Sequence, residues 1–251
     1  MRPILMTMAA ACVLALAGCG GGASDTPAEA PSSMAASDAA PDLPVIGAEQ
    51  SVLAFGDSLL AGYGLASDEA YPHRLELALR ARGINARIAN AGVSGNTTAD
   101  GLARLDFTLK SQSRKPDLVL ISLGGNDLLR ALPPEQAKDN LGKILARLEA
   151  EHIRVVLLGL KAPPNLGPDY VKAFDAIFPE LARQYHATLV PFFLAPIYNH
   201  FELQLADHIH PTANGVDAMV AMTVDTVVKA LPKSAQPDSA GATVPAPPNP
   251  H

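Results

Sequence analysis

The sequence predicts an α/β protein, a three-layer sandwich on a mainly parallel sheet. Three observations carry this. Short apolar runs recur along residues 51–192. These runs are apolar on both faces, as strands covered by helices on each side should be. Segments of helical periodicity alternate with them.

Ser51-Val52-Leu53-Ala54-Phe55 is the first strand and stops at Gly56. Arg87-Ile88-Ala89-Asn90 is a second, short one. Asp117 to Leu123 is a longer strand ending at Gly124-Gly125. Leu141, Ile144, Leu145 and Leu148 then fall at i, i+3, i+4 and i+7, one face of a helix. Arg154 to Leu160 is a fourth strand, and Ala187 to Phe192 a weaker fifth. Val216, Met219, Val220, Thr223, Val224 and Val227 give a last helix. In such sheets ligands bind beyond the carboxyl ends of the strands, so the loops that follow the strands are the place to look.

The domain spans residues 45–232, a length that suits one core. The ends have another character. Arg2 precedes an apolar run, Met8 to Ala17, that is too short to span a bilayer, since a spanning helix needs roughly 20 apolar residues. Residues 1–18 therefore read as a secretion signal. Leu16-Ala17-Gly18-Cys19 resembles a bacterial lipoprotein cleavage box, which implies that Cys19 becomes the first mature residue and carries lipid. An ordinary signal peptide, leaving Cys19 a free thiol, is the alternative. Gly20 after the cysteine resembles the sorting pattern for the outer membrane. Residues 20–44 are rich in Gly, Ala, Ser and Pro, carry acids but no base, and read as a solvated linker. Residues 233–251 form a Pro-rich tail of the same kind.

Composition removes several classes. The net charge is −6 and no block of basic residues exists to track phosphates, so no nucleic-acid partner is expected. Both cysteines, Cys12 and Cys19, lie in the first twenty residues, so the domain can hold no disulfide framework. The seven histidines show no HExxH spacing, and no metal or other cofactor is expected.

Four short blocks carry the chemistry. Gly56-Asp57-Ser58-Leu59 follows the first strand, where glycine permits a sharp turn and a serine hydroxyl is exposed at a helix start. On its own this reads first as a helix cap. Ala91-Gly92-Val93-Ser94-Gly95-Asn96-Thr97 follows the second strand, Gly124-Gly125-Asn126-Asp127 the third, and Asp207-His208-Ile209-His210-Pro211 comes near the end. In this order and spacing, across residues 52–211, they resemble the GDSL or SGNH hydrolase family, which has a flavodoxin-like fold. The closest likeness is to the thioesterase I, lysophospholipase and arylesterase branch. Leu102-Ala103-Arg104-Leu105 and Ala162 to Gly167 also look like that branch.

The resemblance implies a serine esterase acting on carboxylic esters (aryl ester, lysophospholipid or acyl-thioester) through an acyl-serine. Ser58 is then the nucleophile, His210 the general base and Asp207 its orienting acid. The Ser58 and Gly95 backbone N–H groups and the Asn126 side-chain amide form the oxyanion hole. A serine hydroxyl is weak until a base takes its proton, and imidazole does this near neutral pH. The developing oxyanion needs donors already in place. A carbohydrate O-acetyl esterase and a non-catalytic surface binding lipoprotein are the alternatives.

The family usually has glycine two places before the catalytic histidine, where this chain has His208. If glycine serves a positive φ there, histidine is among the less disfavoured replacements. His208 is also a rival base. His210 is preferred because it precedes Pro211, as the family position does, which leaves His208 as a solvated rim residue. Asp127 reads as a cap or turn acceptor, and Asp57 as an acceptor holding its own turn. Asn165 and Leu166, in the stiff loop after the fourth strand, are candidate substrate-binding residues. The expected partners are a small ester or lipid and, through Cys19, a membrane. The expected state is a monomer in the cell envelope, facing the periplasm.

Overall fold

The computed structural model describes residues 45–232. The expected leader, the lipidated Cys19, the linker and the tail lie outside the described residues. Five strands form one sheet in the order β2-β1-β3-β4-β5, every neighbouring pair parallel. They are β1 (Gln50–Gly56), β2 (Ala86–Gly92), β3 (Leu118–Ser122), β4 (Arg154–Leu158) and β5 (Thr188–Val190). The central strands are the apolar ones. All five residues of β3 are buried, and in β1 only Ser51 is not. The edge strands β2 and β5 are partly open. The core is thus β1, β3 and β4 in register, with Val52 opposite both Ile88 and Leu118, and Leu120 opposite Val156.

Each crossover is a helix, because parallel neighbours need a long return connection. The helices are α1 (Ser58–Ala61), α2 (Tyr71–Arg80), α3 (Thr98–Lys110), α4 (Gly125–Leu129), α5 (Pro134–Ala150), α6 (Pro168–Gln184) and α7 (Ala213–Ala230). They form two packed groups, α2 with α7, and α5 with both α3 and α6. These are the outer layers of the sandwich. In α7 the apolar stripe Val216, Met219, Val220, Thr223, Val224 and Val227 is buried, as its spacing requires. Thr223 is the polar member of that stripe. Its hydroxyl is satisfied by the Met219 carbonyl at 2.8 Å and by the Tyr71 hydroxyl of α2 at 2.7 Å.

The strand order reverses between β1 and β3. At that switch point the following chains leave on opposite faces and open a crevice. Ser58 follows β1 directly, and Gly124 to Asn126 follow β3. The fourth strand stops two residues earlier than expected, and the fifth is reduced to three residues. Beyond β5 a long segment returns through a short 3₁₀ turn, Phe201–Leu203, before α7 begins.

Candidate active site

The first block folds as a strand-to-helix elbow. Asp57 caps α1, its Oδ1 accepting from the Leu59 N–H at 3.1 Å, while its own N–H donates to the Ser122 carbonyl at 3.1 Å. Ser58 is thereby the first residue of a four-residue helix, which ends at Gly62 with φ +82°. Asp57 is 1% exposed. Burial pushes its carboxyl up to about 7, against the pull of the Leu59 N–H and the Arg104 guanidinium and with help from the Asp127 charge.

The second block is a tight turn packed against the first. A side chain at Gly92 would strike the Ala61 backbone, so only glycine lets β2 pass this close to α1. Val93 N–H then donates to the Gly56 carbonyl at 3.0 Å, and Asn96 N–H to the Val93 carbonyl at 3.1 Å. Gly95 is the third residue of that turn with φ +84°, a conformation that favours glycine. Thr97 and Asp100 close a capping box on α3.

In the third block Asn126 Nδ2 donates to the Asn96 carbonyl at 3.0 Å. Two of the expected oxyanion-hole blocks are thus tied to each other, and among the described residues the second Nδ2 proton has no partner. Asp127 is 2% exposed and receives the Thr98 N–H at 2.8 Å and the Thr98 hydroxyl at 2.6 Å. The expected local cap or turn role is thus corrected: Asp127 ties α4 to the first residue of α3, 29 positions away.

The fourth block is a loop closed by a bridge between Gln204 and Pro211, with Leu205 N–H donating to the His210 carbonyl at 2.7 Å. Inside it Asp207 Oδ1 accepts from the N–H groups of Ile209 (2.9 Å) and His210 (3.0 Å), and Oδ2 meets His210 Nδ1 at 2.7 Å. Burial of the carboxyl acts upward, but these hydrogen bonds outweigh it and hold Asp207 at about 2. His210 Nε2 lies 2.8 Å from Ser58 Oγ. With Nδ1 donating to the carboxylate, Nε2 is the acceptor for the serine proton. The three side chains can therefore pass that proton from hydroxyl to imidazole while the carboxylate fixes the tautomer.

His208 is exposed and has φ +56°, the left-handed conformation expected where the family has glycine. Its ring meets Phe201 edge to face at 5.2 Å, and it lines the cavity mouth.

The sequence did not single out two neighbours of this cluster. The Tyr63 ring lies against His210 with centroids 4.4 Å apart and planes tilted by 35°. Arg104 is half-buried, its guanidinium 4.2 Å over the Phe55 ring. Arg104 Nε donates to Asn96 Oδ1 at 2.7 Å, and a terminal nitrogen donates to the Gly56 carbonyl at 2.8 Å. Arg104 lay inside a segment noted for its likeness, but only the fold reveals what it grips.

A cavity of about 240 Å³ opens beside Ser58. Its wall is mostly apolar and includes Leu128, Leu160, Leu194 and Ile197, with Lys161 at one edge. Asn165 and Leu166, the candidate substrate-binding residues, are not on that wall. Lys161 and Pro163 supply the lining from this loop. The 3₁₀ turn Pro164–Leu166 carries the chain past the wall and leaves Asn165 exposed. Among the described residues no three His, Cys, Asp or Glu side chains gather as metal ligands.

A serine, histidine and aspartate in hydrogen-bonded line at the switch point of a parallel sheet define a serine hydrolase. Residues 54–218 match the GDSL-like lipase/acylhydrolase family, and the chain belongs to it. It is 42% identical over 164 residues to the esterase TesA of Pseudomonas aeruginosa, covering 65% of this chain and 81% of that protein. It is 36% identical over 184 residues to an arylesterase of Vibrio mimicus, covering 73% and 91%. Among solved structures, AlinE4, an SGNH-hydrolase family esterase, matches with TM-score 0.64 and 55% identity over 74% of this chain and 99% of that one. The chain is a carboxylic ester hydrolase.

Proposed function

We propose that Ser58 attacks the ester carbonyl while His210 takes its proton, giving a tetrahedral intermediate and then an acyl-serine. The Ser58–His210–Asp207 line, at 2.8 and 2.7 Å, carries this reading. The oxyanion is held by the N–H groups of Ser58 and Gly95 and by the Asn126 side-chain amide. His210, protonated in the first step, returns the proton to the leaving oxygen or sulfur. Water then repeats the attack and frees the acid. Asp207 stays ionised throughout and stabilises the imidazolium.

The apolar cavity beside Ser58 favours an acyl or aryl group over a bare acetyl. Aryl esters, lysophospholipids and acyl-thioesters are the substrate classes that fit, and the Vibrio mimicus relative is named an arylesterase. The test is turnover of p-nitrophenyl acetate, butyrate and octanoate. Faster turnover of the longer esters is expected. Acetate alone would indicate a deacetylase, and no turnover a binding protein. Cys19 carries the lipid that anchors the monomeric domain at the outer membrane, on the periplasmic side. Leu16-Ala17-Gly18-Cys19 supports this. An unmodified mature N-terminus lacking Cys19, seen by mass spectrometry, would refute it.

A further inference from the structure

We propose that the rim of the active-site cavity is a lipid-docking surface that seats the mouth of the site on a phospholipid layer. The proposal rests on the esterase reading only in that the cavity leads to Ser58.

Four large hydrophobic side chains stand out of the surface around this one opening. Leu129 is 61% exposed, Phe201 66%, Tyr198 47% and Ile209 39%, and all four line the cavity. They come from separate segments: the end of α4, the loop after β5, the 3₁₀ turn and the Asp207–His210 loop. Single exposed hydrophobics are ordinary, as with Leu77, Phe107 and Met222 on three different helices. A ring of them at one mouth is a patch, and such patches mark an interaction site.

The charge at the rim selects the partner. Lys161 lines the cavity and Arg130 follows Leu129, both exposed. Lys161 has no carboxylate partner among the hydrogen bonds or ion pairs of the described residues, whereas Arg130 donates to the Gly95 carbonyl at 3.0 Å and lies near enough to Asp100 to hold its carboxyl down. Glu202 and Asp207 on the neighbouring loop are held by His200 and His210 but keep their own charge, so the rim carries both signs, as a phospholipid headgroup does. Cations beside an apolar patch suit phosphate headgroups over acyl chains. A net charge of −6 gives the rest of the chain no such attraction, so the rim would set the orientation. An acyl chain could then pass from the layer into the cavity without crossing water, which the hydrophobic effect opposes.

The chain outside the described domain permits this orientation. Residue 45 precedes β1, at the end of the sheet opposite Ser58, and β1 spans only about 20 Å. The twenty-six steps from Cys19 to Val45 reach at most about 90 Å, several times that distance. A lipid on Cys19 would therefore not prevent the mouth from facing the same membrane.

The chain contains no tryptophan, so single tryptophans report cleanly. Phe201→Trp and Leu129→Trp are placed separately in the full-length Ser58→Ala protein, so that no lipid is consumed. Phe107→Trp, on α3, is the reference. Each is mixed with phosphatidylcholine/phosphatidylglycerol vesicles carrying brominated acyl chains. Emission from Phe201→Trp and Leu129→Trp should shift to the blue and be quenched at least threefold more than from Phe107→Trp. Equal quenching at all three positions, or none at the two rim positions, overturns the docking surface. The esterase reading is tested apart from this, by turnover of soluble p-nitrophenyl butyrate with active protein.

Discussion

Ser58 and His210 are 152 positions apart in the chain, yet Ser58 Oγ and His210 Nε2 lie 2.8 Å apart. The contact joins the elbow after β1 to a loop held by its own bridge, Gln204 to Pro211. The two pieces of backbone thus meet through this hydrogen bond and through the Tyr63 ring against His210. The alignment depends on what fixes each piece.

Arg104 fixes the first piece. One guanidinium holds the Gly56 carbonyl, two residues before Ser58, and the Asn96 side chain, next to Gly95. Asn96 in turn accepts from Asn126. Arg104 thus sits one short step from each of the three proposed oxyanion donors without lining the cavity, while Arg130 also holds the Gly95 carbonyl at 3.0 Å. Arg104→Gln should lower kcat on the order of a hundredfold, the scale of one lost oxyanion donor, with KM moved little. Added guanidinium should restore part of the activity of Arg104→Ala. A variant whose KM rises while kcat holds would place Arg104 in substrate binding.

Two carboxylates give opposite pH signatures in stability. Asp57 has a native value of about 7 against an ordinary 3.8, so the folded state keeps its proton across that window while the unfolded chain releases it. Its contribution therefore declines as pH rises from 4 to 7. Asp57→Asn should gain on the wild type in melting temperature between pH 5 and pH 8. Asp207, held at about 2, contributes above pH 4 and loses that contribution as pH falls through 2. The deficit of Asp207→Asn should shrink in acid. Melting curves of the three proteins from pH 3 to 8 check both signs, and parallel curves would contradict them.

Much of this frame was legible because central parallel strands are buried on both faces. β1 and β3 read as unbroken apolar runs and sit at the middle of the sheet. The four chemical blocks were legible because each follows a strand or precedes a helix. The helix α6 was missed, although Phe174, Ile177, Phe178 and Leu181 keep helical spacing and are buried. Its Pro179, inside the helix, reads locally as a breaker. Tyr63 and the cavity wall were not legible. Their roles depend on which distant loop folds over them, and no local pattern encodes that. The same holds for the loop after β4, where Lys161 and Pro163 line the cavity and a 3₁₀ turn of three residues carries Asn165 and Leu166 past it.

Activity should survive prolonged EDTA. The nucleophile, base and donors needed for ester hydrolysis are all protein groups in this reading. Loss of p-nitrophenyl butyrate hydrolysis that zinc or manganese restores would contradict it.

The choice of base is open to a direct test, because His208 and His210 flank one residue and both follow Asp207. The geometry separates them. His210 meets Asp207 through Nδ1 and Ser58 through Nε2, whereas His208 turns its ring to Phe201 at the exposed rim. His210→Ala should lower kcat by several orders of magnitude, as should Ser58→Ala. The double variant should be scarcely worse than either, since the two groups act as one unit. His208→Ala should cost at most roughly tenfold, about 1.4 kcal/mol in the barrier. His208→Gly should fold and work well, because glycine adopts the positive φ of this position more readily than histidine does. Asp207→Asn should fall between the extremes, its imidazole retained with the tautomer no longer fixed. The measurement is kcat/KM on one p-nitrophenyl ester for each folded variant. A His208→Ala protein that loses activity while His210→Ala keeps it would move the base to His208, and the hydrogen bond to Ser58 would then be incidental to catalysis.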